Sequence, residues 1–141
     1  RVYRHHAKRG LERITIDDSL VERGGKDSMP SPDAPSNVIT QALGGRKTFK
    51  EITPNLYDLD STEEALFLVC SDGLNDMVED NAIGGILAEK HTGADLKSIA
   101  RNLLDHALDG GGKDNVSIVL ADYVPPATKP GFLARLFGRS D

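Results

Sequence analysis

The residues best suited to chemistry lie in two short acidic segments. The first, Ser71 to Asp76, follows directly after the most hydrophobic run of the sequence, Ala65 to Cys70. The second is the glycine-rich segment Gly110 to Asn115, which leads into another apolar run. Hard divalent cations such as Mg²⁺ and Mn²⁺ take carboxylate and amide oxygens as ligands, often only one or two carboxylates from each element. Both segments could therefore supply oxygen ligands to such a cation.

Each segment also has a purely structural explanation. Asp-Gly is a common turn dipeptide, and Asp-Asn is a common ending of a loop before a strand. The two segments are more informative together, because both lie at strand boundaries and the helical region between them could return the chain to the same edge of a sheet. The pair therefore favours a shared site over two unrelated loops.

The other polar side chains favour structural roles. Cys70 ends an apolar run, so a buried and unreactive thiol is expected there. His5 and His6 are expected in a solvated turn. Asp17 and Asp18 could be a pair of cation ligands, although capping of a short helix is the simpler interpretation. The sequence has no Ser/His/Asp order, phosphate-binding glycine loop or zinc-type spacing.

The amino-terminal region predicts a hairpin followed by a long loop. Two strands, Val2 to Arg4 and Leu11 to Ile16, flank a turn that ends at Gly10. A short helical turn is expected next. Residues 24–37 contain three prolines and two glycines, a composition with little apolar surface to bury. We interpret this segment as a flap beside a functional site, because long loops in compact domains are usually functional.

The rest of the domain predicts strands, then helices, then a last strand. The predicted elements are two short strands, one strongly apolar strand, two helices with one apolar face and a final strand: 48–53, 55–59, 65–70, 80–91, 94–108 and 116–123. Because strands and helices do not alternate regularly, this order indicates an α+β or layered-sandwich fold rather than a repeated βαβ fold.

Composition and charge exclude several classes of protein. The chain of 141 residues has 17 Lys and Arg against 22 Asp and Glu, a formal net charge of -5. Nucleic-acid binding needs clustered positive charge, so nucleic acid is not expected as a partner. No apolar run approaches the ~18–20 residues of a transmembrane segment, and no signal-peptide pattern opens the sequence. With a single cysteine no internal disulfide can form, and we expect a cytoplasmic location.

The composition changes after two consecutive prolines near the carboxy terminus. We therefore assign residues 1–124 to one domain and 125–141 to a flexible tail. Four apolar side chains between Phe132 and Phe137 could share one helical face and contact a partner or a membrane surface. The stretch is shorter than the ~12–15 residues that an isolated helix needs, so a frayed terminus is the simpler interpretation.

Four segments resemble motifs of one enzyme family, the metal-dependent serine/threonine protein phosphatases of type 2C (PPM), in their bacterial form. Leu66 to Asp76 resembles the family's strand followed by Ser-Asp-Gly-Leu-x-Asp, and Asp114 to Ser117 resembles its closing Asp-Asn-x-Ser/Thr motif. Val38 to Gly44 is similar to its Thr-x-Ala-Leu-Gly segment. Thr15 to Val21 is similar to its Thr-x-Asp-His-Ser-Leu-Val segment, with Asp18 in place of the usual histidine. The four motifs occur in the family's order, which makes the resemblance specific.

The resemblance implies a fold, an activity and a set of site residues. The expected fold is a layered β-sandwich flanked by helices. The expected activity is the hydrolysis of phosphoserine and phosphothreonine in phosphoprotein substrates by water that two or three Mn²⁺ or Mg²⁺ ions activate. In this sequence the resemblance makes Asp72 and Asp114 metal ligands, and it gives supporting roles to Gly73, Asn115 and Arg1.

The resemblance covers only the carboxy-terminal half of the family's domain. The motifs that supply the other metal ligands and the phosphate-binding arginine precede the region that this chain matches. The chain is therefore expected to be a fragment of a longer chain or to be completed by residues supplied elsewhere, and it need not be active by itself. Asn75 stands where the family commonly has tryptophan. Two functions follow as hypotheses: part of a phosphatase within a longer chain, or a non-catalytic binding or regulatory module with the phosphatase fold.

Overall fold

The computed structural model describes residues 1–23, 33, 38–44, 51–59 and 62–126. Four strands form one antiparallel sheet in the order β2-β1-β3-β4. The strands are β1 (Val2–His6), β2 (Gly10–Arg13), β3 (Ala65–Cys70) and β4 (Ile118–Tyr123). The helices are α1 (Leu20–Arg23), α2 (Asp72–Asn75), α3 (Asp80–Ala88) and α4 (Leu96–Asp109), with a 3₁₀ turn at Glu89–Thr92. The predicted α+β class is confirmed.

β3 lies at the centre of the sheet, between β1 and β4. Leu68 of β3 pairs with Tyr3 of β1 on one side and with Leu120 of β4 on the other. Its run of apolar residues suits a strand with neighbours on both edges and packing on its faces. Leu66 and Leu68 are almost completely buried, at 1% and 0% exposure, so β3 is the strand around which the described core is built.

The core lies between one face of the sheet and the helices α3 and α4. Its buried side chains are Tyr3, Leu66, Leu68, Cys70, Leu74, Val78, Ile83, Ile86, Leu87, Ile99, Leu103 and Ala107. Along α4 these residues recur every four positions, as the predicted apolar stripe requires. The helix begins two residues later than predicted because Asp95 caps it, accepting a hydrogen bond from the Ser98 amide at 3.0 Å.

The opposite face of the sheet is apolar but partly exposed. Val69 and Val119 face each other across β3 and β4 and are 45% and 60% exposed. Phe67 and Ala121 are the next such pair along the same face. Among the described residues no second sheet covers this face, so they provide one sheet of the expected layered sandwich.

Several predicted elements differ from the structure: the strand predicted over Leu11 to Ile16 already ends at Arg13, and the one predicted over 116–123 begins at Ile118. Residues 51–59 contain no strand, so the strand predicted at 55–59 is wrong. Of the strand predicted at 48–53, residues 51–53 are not a strand either, and residues 48–50 lie outside the described residues. Leu56 in this region is 90% exposed, so there is no buried face to stabilise strand pairing. The helix predicted over 80–91 ends at Ala88 and continues as the 3₁₀ turn. Most of the predicted flap, and the tail from residue 127, also lie outside the described residues.

None of the helices in the described part of the chain is long and apolar enough to cross a membrane. The cytoplasmic location stays a prediction.

The expected solvated turn at His5 and His6 is wrong. Both lie in β1, because the strand continues to the Gly10 hairpin, and each is only 4% exposed. The His5 ring stacks on His91, with its Nδ1 atom 3.2 Å from Nε2 of His91. Burial, with the added repulsion of His91 and His6, lowers the pKa of His5. The folded protein therefore favours a neutral His5.

Acidification is expected to destabilise the fold through His5. Because folding lowers the pKa of this imidazole, the unfolded chain binds its proton at a higher pH than the folded chain does. The free energy of unfolding should therefore fall as the pH drops below about 6.5, by at most about 1.4 kcal/mol per pH unit. Urea unfolding at about pH 7.5 and about pH 5.5 measures the loss.

His5→Asn should make that loss smaller, whereas His106→Asn, at an exposed position of α4, should leave it unchanged. If the His5 variant lost as much stability between the two pH values as the wild type, His5 would not be the cause of the loss.

Candidate functional site

The two acidic segments predicted to share a site meet at one end of β3. Asp72 begins α2 two residues after β3 ends at Cys70. Asp114 lies in the loop before β4, whose first residue, Ile118, pairs with Cys70. Because β3 and β4 are antiparallel neighbours, the end of one strand and the start of the other lie at the same edge of the sheet.

Ser71 and Gly73 hold these segments together. The Ser71 hydroxyl donates a hydrogen bond to the Asn115 carbonyl oxygen at 2.9 Å and accepts one from the Ser117 amide at 2.9 Å. Gly73 is buried, and a Cβ atom there would overlap the Asn115 carbonyl oxygen and lie 2.9 Å from its carbonyl carbon. Only glycine therefore allows α2 to lie this close to the Asn115 backbone.

An open cleft of about 390 Å³ lies beside this junction. Its acidic lining comes from the segment before α1, from α1, from α2 and its end, and from the loop before β4: Asp17, Asp18, Glu22, Asp72, Asp76 and Asp114. Asn75 and Arg1 also line the cleft. Carboxylate and amide oxygens are hard donors, so the chemistry of this set fits Mg²⁺ or Mn²⁺.

The number of ligands is smaller than a complete metal centre requires. Within the residues that the structure describes, no group of three or more His, Cys, Asp or Glu side chains is arranged to hold one ion. Mg²⁺ demands near-octahedral coordination, which waters and further oxygen ligands complete. The oxygen donors of this cleft are therefore of the right chemical kind for a divalent cation, but the described residues supply fewer of them than a complete coordination shell needs.

Arg1 lies in the same cleft and is held by acidic partners. Its guanidinium donates hydrogen bonds to the Asp17 carboxylate at 3.0 Å from Nε and 2.8 Å from Nη2. These bonds raise the pKa of Arg1. Burial is the largest single influence on Asp17 and raises its pKa, but the hydrogen bonds from Arg1, together with the positive charges of Arg1 and Arg13 nearby, lower that pKa overall. Arg1 thus neutralises one of the carboxylates of the cleft.

Tyr3 connects Arg1 to the helical layer. The Tyr3 hydroxyl accepts a hydrogen bond from Arg1 at 3.3 Å and donates one to Asp80, in the first turn of α3, at 2.9 Å. Burial is the main cause that raises the pKa of Tyr3 to about 12, so the hydroxyl keeps the proton that it donates. No motif of the sequence points to this link, although the alternation of Tyr3 and His5 along β1 is a signal of an inward-facing tyrosine.

Asp17 and Asp18 form ion pairs in the structure, and neither of them caps α1. Asp17 binds Arg1, and Asp18 lies 2.6 Å from Nε of Arg23. The capping contact of α1 comes from the Ser19 hydroxyl, which accepts a hydrogen bond from the Glu22 amide at 3.3 Å. Both aspartates nevertheless line the cleft, so they contribute to its negative potential.

Comparisons with known proteins point to one kind of enzyme. No family model matches the sequence. The serine/threonine protein phosphatase PstP of Mycobacterium tuberculosis is 33% identical over 119 residues, which cover 81% of this chain and 22% of PstP. Among solved structures, the serine/threonine phosphatase Stp1 of Staphylococcus aureus is 29% identical, with a TM-score of 0.64 over 89% of this chain and 48% of that one. The solved M. tuberculosis phosphatase PstP/Ppp is 32% identical, with a TM-score of 0.59 over 87% and 51%.

These likenesses agree with the resemblance found in the motifs. Over most of its length the chain is similar to part of the bacterial serine/threonine phosphatases. It spans about a fifth of the length of the curated relative and about half of the two solved chains.

The contact between Gly73 and Asn115 predicts that a methyl group at this position is not tolerated. Gly73→Ala should lower the free energy of unfolding by about 1–3 kcal/mol, because the backbone of the Asp114 loop must move to admit the new Cβ. Urea unfolding of the chain measures this change.

Gly85→Ala is the matched control, since Gly85 lies in α3 and a Cβ there meets nothing within 4 Å. That variant should be as stable as the wild type or more stable by up to about 1 kcal/mol. Equal effects of the two substitutions would show that the close approach at Gly73 is not under constraint.

Proposed function

We propose that this chain is part of a protein serine/threonine phosphatase and that Asp72 and Asp114 supply carboxylates to its divalent-metal centre. The observation that carries the proposal is the junction of α2 with the loop before β4, which brings these two residues to one cleft. The names of the relatives support the reaction class, since each is a serine/threonine phosphatase. The substrates would be phosphoserine and phosphothreonine residues of proteins.

Asp72 and Asp114 are suited to metal binding by their exposure and their anchoring. Both side chains belong to exposed residues, so a hydrated cation can reach them. Asp114 accepts a hydrogen bond from the Asn115 amide through Oδ1 at 2.6 Å, which orients the carboxylate and gives Asn115 its supporting role. Gly73 supports the same arrangement, because it allows α2 to lie against the Asn115 backbone.

Bound Mg²⁺ or Mn²⁺ would supply the chemistry of the site by acidifying water and neutralising the charge of the phosphoryl group. The contribution of this chain is to hold carboxylates at the cleft and to limit their mutual repulsion. Arg1 does the latter by pairing with Asp17 at 2.8 Å. The remaining negative charge attracts cations to the cleft.

A non-catalytic binding or regulatory module is the second candidate. It is favoured by the incomplete ligand set, since the described residues contain no group of three ligating side chains around one point. The two candidates agree on cation binding at Asp72 and Asp114 and differ on hydrolysis, so the two are tested separately.

Cation binding is expected at the cleft of the chain itself. Mn²⁺ added to the ¹⁵N-labelled chain should broaden the amide signals of Asp72 and Asp114 first, because both carboxylates bind it. Asp72→Asn and Asp114→Asn should each raise the Mn²⁺ concentration needed by about tenfold or more. Asp105→Asn, on the exposed side of α4, should have no effect. Broadening that the first two substitutions do not change would contradict the assignment.

Hydrolysis is expected when the chain is joined to the part of a relative that it lacks. In a hybrid, this chain replaces the matching 119 residues of PstP, and Mn²⁺-dependent phosphate release from a phosphothreonine peptide is measured. Asp72→Asn should lower kcat/KM by about 100-fold or more, because a ligand of the metal centre is lost. Asp105→Asn should leave it unchanged. A folded hybrid without activity would favour the non-catalytic module.

A further inference from the structure

We propose that Ser71 is a positioning residue of the metal centre, whose hydroxyl holds the Asp114 loop at the end of β3 and so sets the separation of Asp72 and Asp114. The inference rests on the proposed function. Its starting point is a single hydrogen bond whose donor and acceptor residues are each adjacent in sequence to one of the two candidate ligands. Asp72 follows Ser71, Asp114 precedes Asn115, and the Ser71 hydroxyl donates to the Asn115 carbonyl oxygen at 2.9 Å.

The Ser71 hydroxyl extends the pairing of β3 with β4 toward the cleft. The Ser71 amide donates to the Ser117 carbonyl oxygen at 3.0 Å, one residue before β4 begins. The hydroxyl then accepts from the Ser117 amide at 2.9 Å while it donates to Asn115. One side chain therefore satisfies a donor and an acceptor of the incoming backbone, at the point where the regular ladder has already ended.

These contacts replace the role that serine ordinarily has at this place in a helix. Ser71 is the N-cap residue of α2, with φ -76° and ψ 167°, but its side chain makes no capping hydrogen bond. An N-cap serine normally accepts a hydrogen bond from an amide of the first helical turn. Here the hydroxyl contacts the loop of Asp114 instead, which indicates that holding the loop takes precedence over capping a four-residue helix.

Ser71 and Gly73 restrain the loop in opposite directions. Gly73 is already so close to the Asn115 backbone that the loop cannot move further inward. The Ser71 hydrogen bonds oppose outward movement. The preceding glycine turn is held at the end of α4, where the Gly111 and Gly112 amides donate to the Leu108 and Ala107 carbonyl oxygens at 3.0 and 3.1 Å, whereas the Ser71 hydroxyl holds the part of the loop that follows Asp114. Without the hydroxyl, Asp114 would no longer have a defined distance from Asp72.

Ser71→Ala tests this role through metal affinity. The probe is MnCl₂ added to the ¹⁵N-labelled chain, and the readout is the Mn²⁺ concentration that broadens the Asp72 and Asp114 amide signals. We expect Ser71→Ala to need at least about fivefold more Mn²⁺, in the range found for residues that orient metal ligands. Ser71→Thr keeps the hydroxyl, and its branched side chain suits the extended backbone, so it should restore binding.

Ser98→Ala separates positioning from a general loss of stability. The Ser98 hydroxyl donates to Asp95 at 2.8 Å at the start of α4, away from the cleft lining, so its removal weakens a helix cap and should leave Mn²⁺ binding unchanged. Amide exchange gives a metal-independent readout, because the Ser117 amide should exchange faster in Ser71→Ala and not in Ser98→Ala. If Ser71→Ala does not fold, Ser71→Cys weakens the same two hydrogen bonds at similar volume and takes its place.

The outcomes distinguish this inference from the proposed function. Wild-type Mn²⁺ affinity in a folded Ser71→Ala overturns the inference, while the metal ligands stand if Asp72→Asn still weakens binding. Loss of affinity in Ser71→Ala that Ser71→Thr does not restore also overturns it. If Mn²⁺ does not broaden the Asp72 and Asp114 signals of the wild-type chain, both the inference about Ser71 and the proposed metal ligands are overturned.

Discussion

The close contact of α2 with the backbone before β4 is the constraint on which the candidate site depends. Gly73 makes this contact with Asn115, and Gly110 makes a similar one at the end of α4, where a Cβ would lie 2.9 Å from the Met77 carbonyl oxygen. Leu74, next to Gly73, is completely buried in the core. The segment that carries Asp72 is therefore fixed both by the core and by the loop that carries Asp114. Packing and ligand placement are parts of one arrangement.

Charge distinguishes the aspartates of the cleft. Arg1 and Arg23 pair with Asp17 and Asp18. Among the described residues, no Lys, Arg or His lies within ion-pair distance of Asp72 or Asp114. Carboxylates held close together without a counter-charge repel each other, and a bound cation removes this repulsion. The pairing pattern thus separates the carboxylates that form ion pairs from those that have no counter-charge among the described residues.

Features that depend on local pattern could be predicted from the sequence, and features that depend on tertiary placement could not. The apolar run of β3 and the stripe of α4 determine their own structure, since each buries one continuous face. His5 and His6 are polar side chains whose burial depends on β3 and on the 3₁₀ turn far along the chain. The meeting of the two acidic segments could be predicted, because both lie at strand boundaries. The contact of the Ser71 hydroxyl with the Asp114 loop could not be predicted, because a serine directly before a helix ordinarily indicates a helix cap.

The same arrangement would couple cation binding at the proposed metal centre to the stability of the fold. Ser71 and Gly73 join the segments that carry the two candidate ligands, and the Ser71 hydrogen bonds also extend the pairing of β3 with β4. An unfolded chain does not hold Asp72 and Asp114 near each other, so a cation that both bind favours the folded state. Conversely, a loosened junction would lower the affinity of the proposed metal centre even when both carboxylates remain. The residues that matter for that centre would therefore include backbone-contacting side chains that carry no charge.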